Sequence, residues 1–364
     1  MTDHSTDRPN LAHPRIHDPA ADAVHRTLPR QRRSRTGAML LGGAAAALAG
    51  LAVYNLLQTR RAERRHPPQG RFINVDGVRL RYLDEGRGEV VVLVHGNGAL
   101  IEDMTSSGLV DALSRSHRVL VLDRPGFGYS SRPRDRLFTP ERQAQVFNAA
   151  LDLLGVKRAV VYGHSLGAQV AAFMALGRPD RVRGLVLASG YYYPTARADV
   201  PFALPPAIPV IGDVLRHTVA PPLTAALLPR IYAKLFDPAP VPEHFWRRFP
   251  HALVARPLHL RAAATDTGYL IPAAADLRRR YRELTMPVAI IVGDGDQLID
   301  VDRHARRLHR ELPGSRLVEI PGAGHMIHHL ALDEVAALIE TVADQEPVRR
   351  RAQAQAQPRP MASL

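Results

Sequence analysis

The sequence predicts an α/β fold: a largely parallel sheet, a helical insertion late in the chain, and an apolar helix near its start. Three observations carry that expectation. Short continuous apolar runs at residues 90–94, 118–122, 159–162, 184–188 and 287–292 alternate with longer stretches of helical spacing, as in strands covered by helices on both faces. One run feeds Val160-Val161-Tyr162-Gly163-His164-Ser165-Leu166-Gly167 and a helical stretch over 168–176, so the order is strand, tight turn, helix. Finally, the alternation breaks between residues 190 and 285, where the chain is dense in Pro and carries its only Trp, Trp246.

At 364 residues with 46% hydrophobic content, the chain can hold one large α/β domain with an insertion, or two average domains. The formal charge of +13 suggests a nucleic-acid partner until it is placed along the chain. Residues 1–70 hold eleven Arg against five acidic residues, and residues 345–364 hold four against one. The basicity lies in the tails, and no nucleic-acid groove is expected. With no Cys, disulfides, thiolate catalysis and Cys-based metal sites are excluded. No internal repeat is visible.

Residues 1–36 form a basic, polar tail expected to be disordered. Residues 37–57 are 21 residues without a charge, long enough at about 1.5 Å per residue to cover the roughly 30 Å hydrocarbon layer. Arginines on both sides speak against burial within the protein. Ala47-Leu48-Ala49 would fit a signal-peptidase site, but the run is longer than a signal core. The expectation is a single-pass anchor in a bacterial inner membrane, its orientation open because positive charge flanks both ends. A linker over 58–70 follows.

The core is expected over 71–189 and 286–344. Residues 72–83 read as a hairpin turning at Asp76-Gly77. Thr139-Pro140-Glu141 starts a helix with an N-cap residue, an early proline and an acidic side chain at the positive dipole end, and Gly155 stops it. Residues 190–285 are read as a helical lid inserted between two strands. A helix over 302–312, a strand over 316–320 and a helix over 332–343 complete the core, and 345–364 is a second unstructured tail.

In such a sheet the strands deliver their C-terminal ends to one edge. Ser165, at the elbow, needs a base, and His325 in the loop Gly322-Ala323-Gly324-His325 can bring an imidazole over it. The imidazole needs a carboxylate to fix its tautomer, and Asp296, just past the strand at 287–292, is placed for that. Asp294 falls in the tight turn and Asp302 reads as the N-cap of the next helix; Asp300 is a further competitor. His328 and His329 read as surface or packing residues, and His95 and His164 as structural. Oxyanion donors are expected from the backbone N–H groups of Leu166, directly after the nucleophile, and Asn97 in His95-Gly96-Asn97-Gly98. Tyr191, Tyr192 and Tyr193 either line the substrate pocket or pack the lid against the body.

These motifs, with Asp123-Arg124-Pro125-Gly126-Phe127-Gly128-Tyr129-Ser130 and Gly293-Asp294-Gly295-Asp296, stand in the order of the α/β-hydrolase superfamily, which residues 71–343 resemble. The resemblance implies an eight-stranded sheet, a lid, and hydrolysis of a small-molecule acyl substrate through an acyl-enzyme on Ser165, without metal or cofactor. The Asp123 loop is most similar to haloalkane dehalogenases and epoxide hydrolases, but those use an elbow aspartate. A serine attacking an sp³ carbon would leave a stable ether. Ester cleavage is therefore expected, with C–C bond, lactone or thioester hydrolysis, perhydrolysis or acyl transfer as alternatives on the same triad. A non-catalytic ligand-binding protein of this fold is the rival from another class.

Overall fold

The computed structural model describes residues 35–198 and 200–345; the tails expected at 1–34 and 346–364 lie outside them. The chain divides into two units, Met1–Ala47 and Leu48–Leu364. Helix α1 (Arg35–Arg65) is long and apolar enough to cross a membrane, with a mean hydropathy of 1.8 over a window that is only 6% buried. It does not stop at residue 57: residues 58–65, expected as linker, continue the helix. Nothing between Leu57 and Arg65 opposes helix, and the chain leaves it just before Pro67-Pro68, which can neither donate to nor fit within a helix interior.

The body is an eight-stranded sheet in the order β1-β2-β4-β3-β5-β6-β7-β8. Its strands are β1 (Arg71–Val75), β2 (Val78–Gly86), β3 (Val90–Val94), β4 (Arg118–Leu122), β5 (Ala159–His164), β6 (Val182–Ala188), β7 (Val288–Gly293) and β8 (Arg316–Ile320). The β1–β2 hairpin and the β2–β4 pair are antiparallel, and the remaining pairs are parallel. Side chains alternate between two cores, as the period of two requires. Val92, Val94, Leu120, Leu122, Val161, Leu187 and Ile290 face one; Val91, Leu93, Val119, Val121, Val160, Val186 and Ile291 face the other.

Helices cover both faces. After β3 come α2 (Ile101–Ser106) and α3 (Leu109–Leu113), two short helices with no counterpart in the sequence reading. Helix α4 (Pro140–Leu153) starts at Thr139, whose hydroxyl accepts from the Arg142 N–H. Helix α5 (Leu166–Gly177) follows the elbow.

Between β6 and β7 the chain forms α6 (Val200–Ala203), α7 (Ile211–His217), α8 (Ala220–Phe236), α9 (Glu243–Arg248), α10 (His251–Val254) and α11 (Pro257–Arg280). Phe236, Phe245, Phe249 and Leu253 build a third core with Tyr232, Leu100 and Ala62 of α1. The second half of α1 is thereby part of this helical layer. Asn55 donates to the His217 carbonyl at 3.0 Å and also to that of Thr218, and Arg256 pairs with Glu63 at 3.1 Å. A π-helical turn (Asp302–Arg306), α12 (Arg307–Glu311), α13 (Ile327–Leu330) and α14 (Leu332–Asp344) complete the chain.

Candidate active site

β5 ends and α5 begins within one residue, and Ser165 takes up the turn with φ 55° and ψ −121°, a strained conformation for a residue with a Cβ. Two glycines make the approach possible. A Cβ on Gly167 would stand 2.4 Å from the Val94 carbonyl oxygen, and one on Gly163 would stand 2.4 Å from that of Gly167. The Ser165 N–H donates to the Ala188 carbonyl at 2.8 Å, which ties the turn to β6.

His325 stands on the loop after β8. Its Nδ1 donates to Asp296 Oδ2 at 2.8 Å, a buried contact. The other carboxylate oxygen, Oδ1, accepts the N–H groups of Leu298 at 2.8 Å and Ile299 at 3.0 Å. Asp296 is therefore oriented by its own turn before it meets the ring. The histidine backbone is held on both sides: its N–H donates to the Leu235 carbonyl of α8 at 3.0 Å, and its carbonyl accepts from His164 Nε2 at 2.9 Å. Ser165 and His325 line one cavity. Among the described residues no hydrogen bond joins the Ser165 hydroxyl to the ring, a looseness common before a substrate is bound.

Two backbone N–H groups border the serine. Leu166 opens α5, so its N–H has no intrahelical acceptor. Asn97 follows Gly96, where a Cβ would stand 3.1 Å from Ser165 Cβ. The loop carrying Asn97 is fixed by groups that sequence reasoning did not single out. The Asn97 side chain donates to Thr267 Oγ1 at 2.9 Å and to the Ala263 carbonyl at 3.1 Å, both on α11. Arg124, fully buried, donates to the Gly96 carbonyl at 2.9 Å and pairs with Asp266 of α11 at 2.5 Å; Arg132 reaches the same carboxylate at 2.8 Å. His95 accepts the Arg124 N–H at 3.0 Å, and burial first, then the Arg124 charge, hold its pKa well below the usual imidazole range. That neutral ring is a structural link.

The competing residues fall elsewhere. Asp294 is exposed and accepts the Gly322 N–H at 2.7 Å. Asp302 does not cap the following helix: Asp300 takes that part, its carboxylate accepting the Arg303 N–H at 2.9 Å, because Asp302 already lies inside the helical turn and pairs with Arg306 at 3.0 Å. His328 is neither exposed nor simply apolar packing, and the same holds for His329. Both are buried against Asp103 of α2, at 3.2 and 3.0 Å. Asp103 was missed because α2 was not foreseen and its histidines lie more than two hundred residues away.

The cavity over Ser165 holds about 260 Å³ and takes much of its lining from the helical layer, including Ile231, Tyr232, Leu235, Phe245 and Phe249. Of the three tyrosines only Tyr191 lines it. The Tyr192 hydroxyl accepts the Gly190 N–H, and that of Tyr193 donates to Glu311, so these two pack the body. Among the described residues, one group of three side chains could hold a metal ion: Asp103, His164 and His328.

The profile of the family described as the alpha/beta hydrolase fold matches residues 89–332. Haloalkane dehalogenase 2 of Mycobacterium tuberculosis is 29% identical over 289 residues, which cover 75% of this chain and 94% of that protein. Among solved structures, a thermophilic esterase from Thermogutta terrifontis superimposes with a TM-score of 0.61 at 22% identity, over 75% of this chain and 97% of its own. A bacterial membrane phospholipase A gives 0.57 at 22% identity over 84% of this chain and 96% of its own.

Proposed function

The chain belongs to the alpha/beta-hydrolase fold family, and from that premise we propose that it is a membrane-anchored serine hydrolase cleaving a carboxylic ester with an apolar, lipid-like acyl part. One observation carries the reading: a strained serine and a carboxylate-oriented histidine share one apolar cavity. In the proposed reaction His325 Nε2 takes the proton as Ser165 Oγ attacks the ester carbonyl. Asp296 holds the Nδ1–H tautomer and stabilises the imidazolium, and the N–H groups of Leu166 and Asn97 receive the oxyanion. The proton then passes to the departing alcohol, and water, activated by the same ring, releases the acid from Ser165.

Halide displacement, the activity in the name of the mycobacterial relative, is not proposed. Attack of Ser165 on an sp³ carbon would form an ether that water cannot cleave. The lipid-like substrate is supported by the apolar cavity wall, by α1, and by exposed side chains on the helical layer: Phe202, Val210, Ile211, Val214, Leu223 and Ile231. Such a surface suits contact with acyl chains.

The test uses the full-length chain in detergent, because α1 packs into the helical layer. A fluorophosphonate probe is expected to label the wild type and not Ser165→Ala; no labelling of folded wild type would remove the proposal. A panel of esters of graded chain length, lactones and thioesters then reads the substrate class, with longer acyl esters expected to be preferred. A preference for lactones or thioesters would keep Ser165 and replace the substrate.

A further inference from the structure

Behind the Ser165 cavity, three segments bring together one ligand-bearing side chain each: Asp103 from α2, His164 from the end of β5 and His328 from α13. One ligand atom from each lies within 4.8 Å of the others, and all three residues are buried. The polar atoms that meet there are not satisfied. Asp103 Oδ2, His164 Nδ1 and His328 Nε2 are buried without a hydrogen-bond partner among the described residues. Leaving such atoms unpaired costs on the order of 1–3 kcal/mol each.

Close spacing without pairing distinguishes this group from an ordinary hydrogen-bonded cluster. His328 Nε2 and Asp103 Oδ2 stand 3.2 Å apart without meeting the angular geometry of a hydrogen bond. A separation just over 3 Å is also what two ligands on one metal ion show when each stands about 2.0–2.1 Å from it. Two of the three ligands have their other polar atom committed, while His328 Nδ1 is buried without a partner among the described residues. His164 Nε2–H donates to the His325 carbonyl at 2.9 Å, leaving Nδ1 as a bare lone pair, and Asp103 Oδ1 accepts from His329 Nε2 at 3.0 Å. A backbone carbonyl behind a ligating imidazole and a donor behind a ligating carboxylate are the usual outer partners of a metal site.

We propose that Asp103, His164 and His328 form a binding site for a divalent first-row transition ion such as zinc. Two imidazoles and one carboxylate suit that class better than magnesium or calcium, which take oxygen ligands. Asp103 and His164 also line the cavity over Ser165, so the site lies against the wall of that cavity. The ion ties the residue preceding Ser165, the helix after the Asn97 loop and the turn after His325 into one unit. It is a positioning element and takes no part in bond-making at Ser165.

The test measures metal, independently of any activity. Untagged full-length protein in detergent is equilibrated with zinc and desalted, then assayed by inductively coupled plasma mass spectrometry, with cobalt(II) absorption as a second readout. The wild type is expected to hold about one zinc per chain, and Asp103→Asn and His328→Gln each to weaken binding at least about 100-fold. His329→Gln, behind the carboxylate, is expected to weaken it about tenfold. Circular dichroism shows that each variant is folded; if Asp103→Asn is not, His328→Gln decides. Folded wild type without zinc overturns the proposal. So does zinc retained at wild-type level in both ligand variants, which would place it on other histidines.

Discussion

Two histidine–carboxylate clusters stand at one edge of the sheet, and they differ in how their carboxylates are satisfied. Asp296 spends one oxygen on two N–H groups of its own turn and the other on His325. It aims a single ring whose second nitrogen is left for the cavity. Asp103 gives one oxygen to His329 and leaves the other unpaired beside unpaired nitrogens of His328 and His164. A fully satisfied carboxylate orients; closely spaced unpaired ligand atoms gather a cation. The same residue types therefore serve two chemistries, separated by pairing more than by distance.

Exchanging the carboxylates for amides breaks that comparison at its strongest point. Asp296→Asn keeps the shape but removes the acceptor that fixes the His325 tautomer, and kcat for ester cleavage is expected to fall by roughly 10⁴. Asp103→Asn is expected to cost less than about tenfold in kcat, because Asp103 touches no group proposed to react; its measurable losses are in metal and in Tm. Equal losses of kcat would mean that both clusters serve the serine.

The two clusters were also unequally legible in the sequence. Ser165, Asp296 and His325 each follow a strand within a few residues, so local apolar runs locate them and chain order pairs them. Asp103 sits on a helix of six residues with no strong periodicity, and its partners His328 and His329 looked like helix-start residues. Asp266 was equally hidden: it closes a buried pair with Arg124, 142 positions away, from within a helix of unremarkable pattern. Contacts that depend on how a helical insertion lies over the sheet leave no local trace. Charge gave no help either, since most of it lies in the tails.

Protonation separates the histidines more gently. Burial, aided by neighbouring positive charge, holds His259 down to about 3, while burial leaves His304 and His329 at about 4; an exposed imidazole titrates near 6.5. Between pH 6.5 and 4 the unfolded chain binds protons that these folded rings refuse, so stability falls as pH falls through that window. His95, held well below the usual imidazole range by burial, acts in the same sense. Asp123 acts oppositely: burial raises it to about 6, so it takes up a proton in the folded state and offsets one histidine. A net of at least two protons gives a slope of about 3 kcal/mol per pH unit. Tm measured in detergent from pH 7 to 4.5 is expected to drop steeply below pH 6.5, and a flat profile would mean that the buried rings are reached by water.

The smallest expected effect tests where the helical layer ends. Asn55 belongs to α1 by sequence, within the run read as an anchor, yet it is 4% exposed and its amide donates to two carbonyls at the end of α7. Those carbonyls have no intrahelical partners, so Asn55 works as a cap supplied from 162 residues away. Replacing it with Ala leaves both acceptors short of a donor and is expected to lower stability by about 1–2 kcal/mol, a modest shift in Tm. Gln58→Ala, on the same helix, is the control, since no hydrogen bond of its side chain is among those described. A loss confined to Asn55→Ala would assign this part of α1 to the helical layer, whereas equal Tm values would return it to the anchor alone.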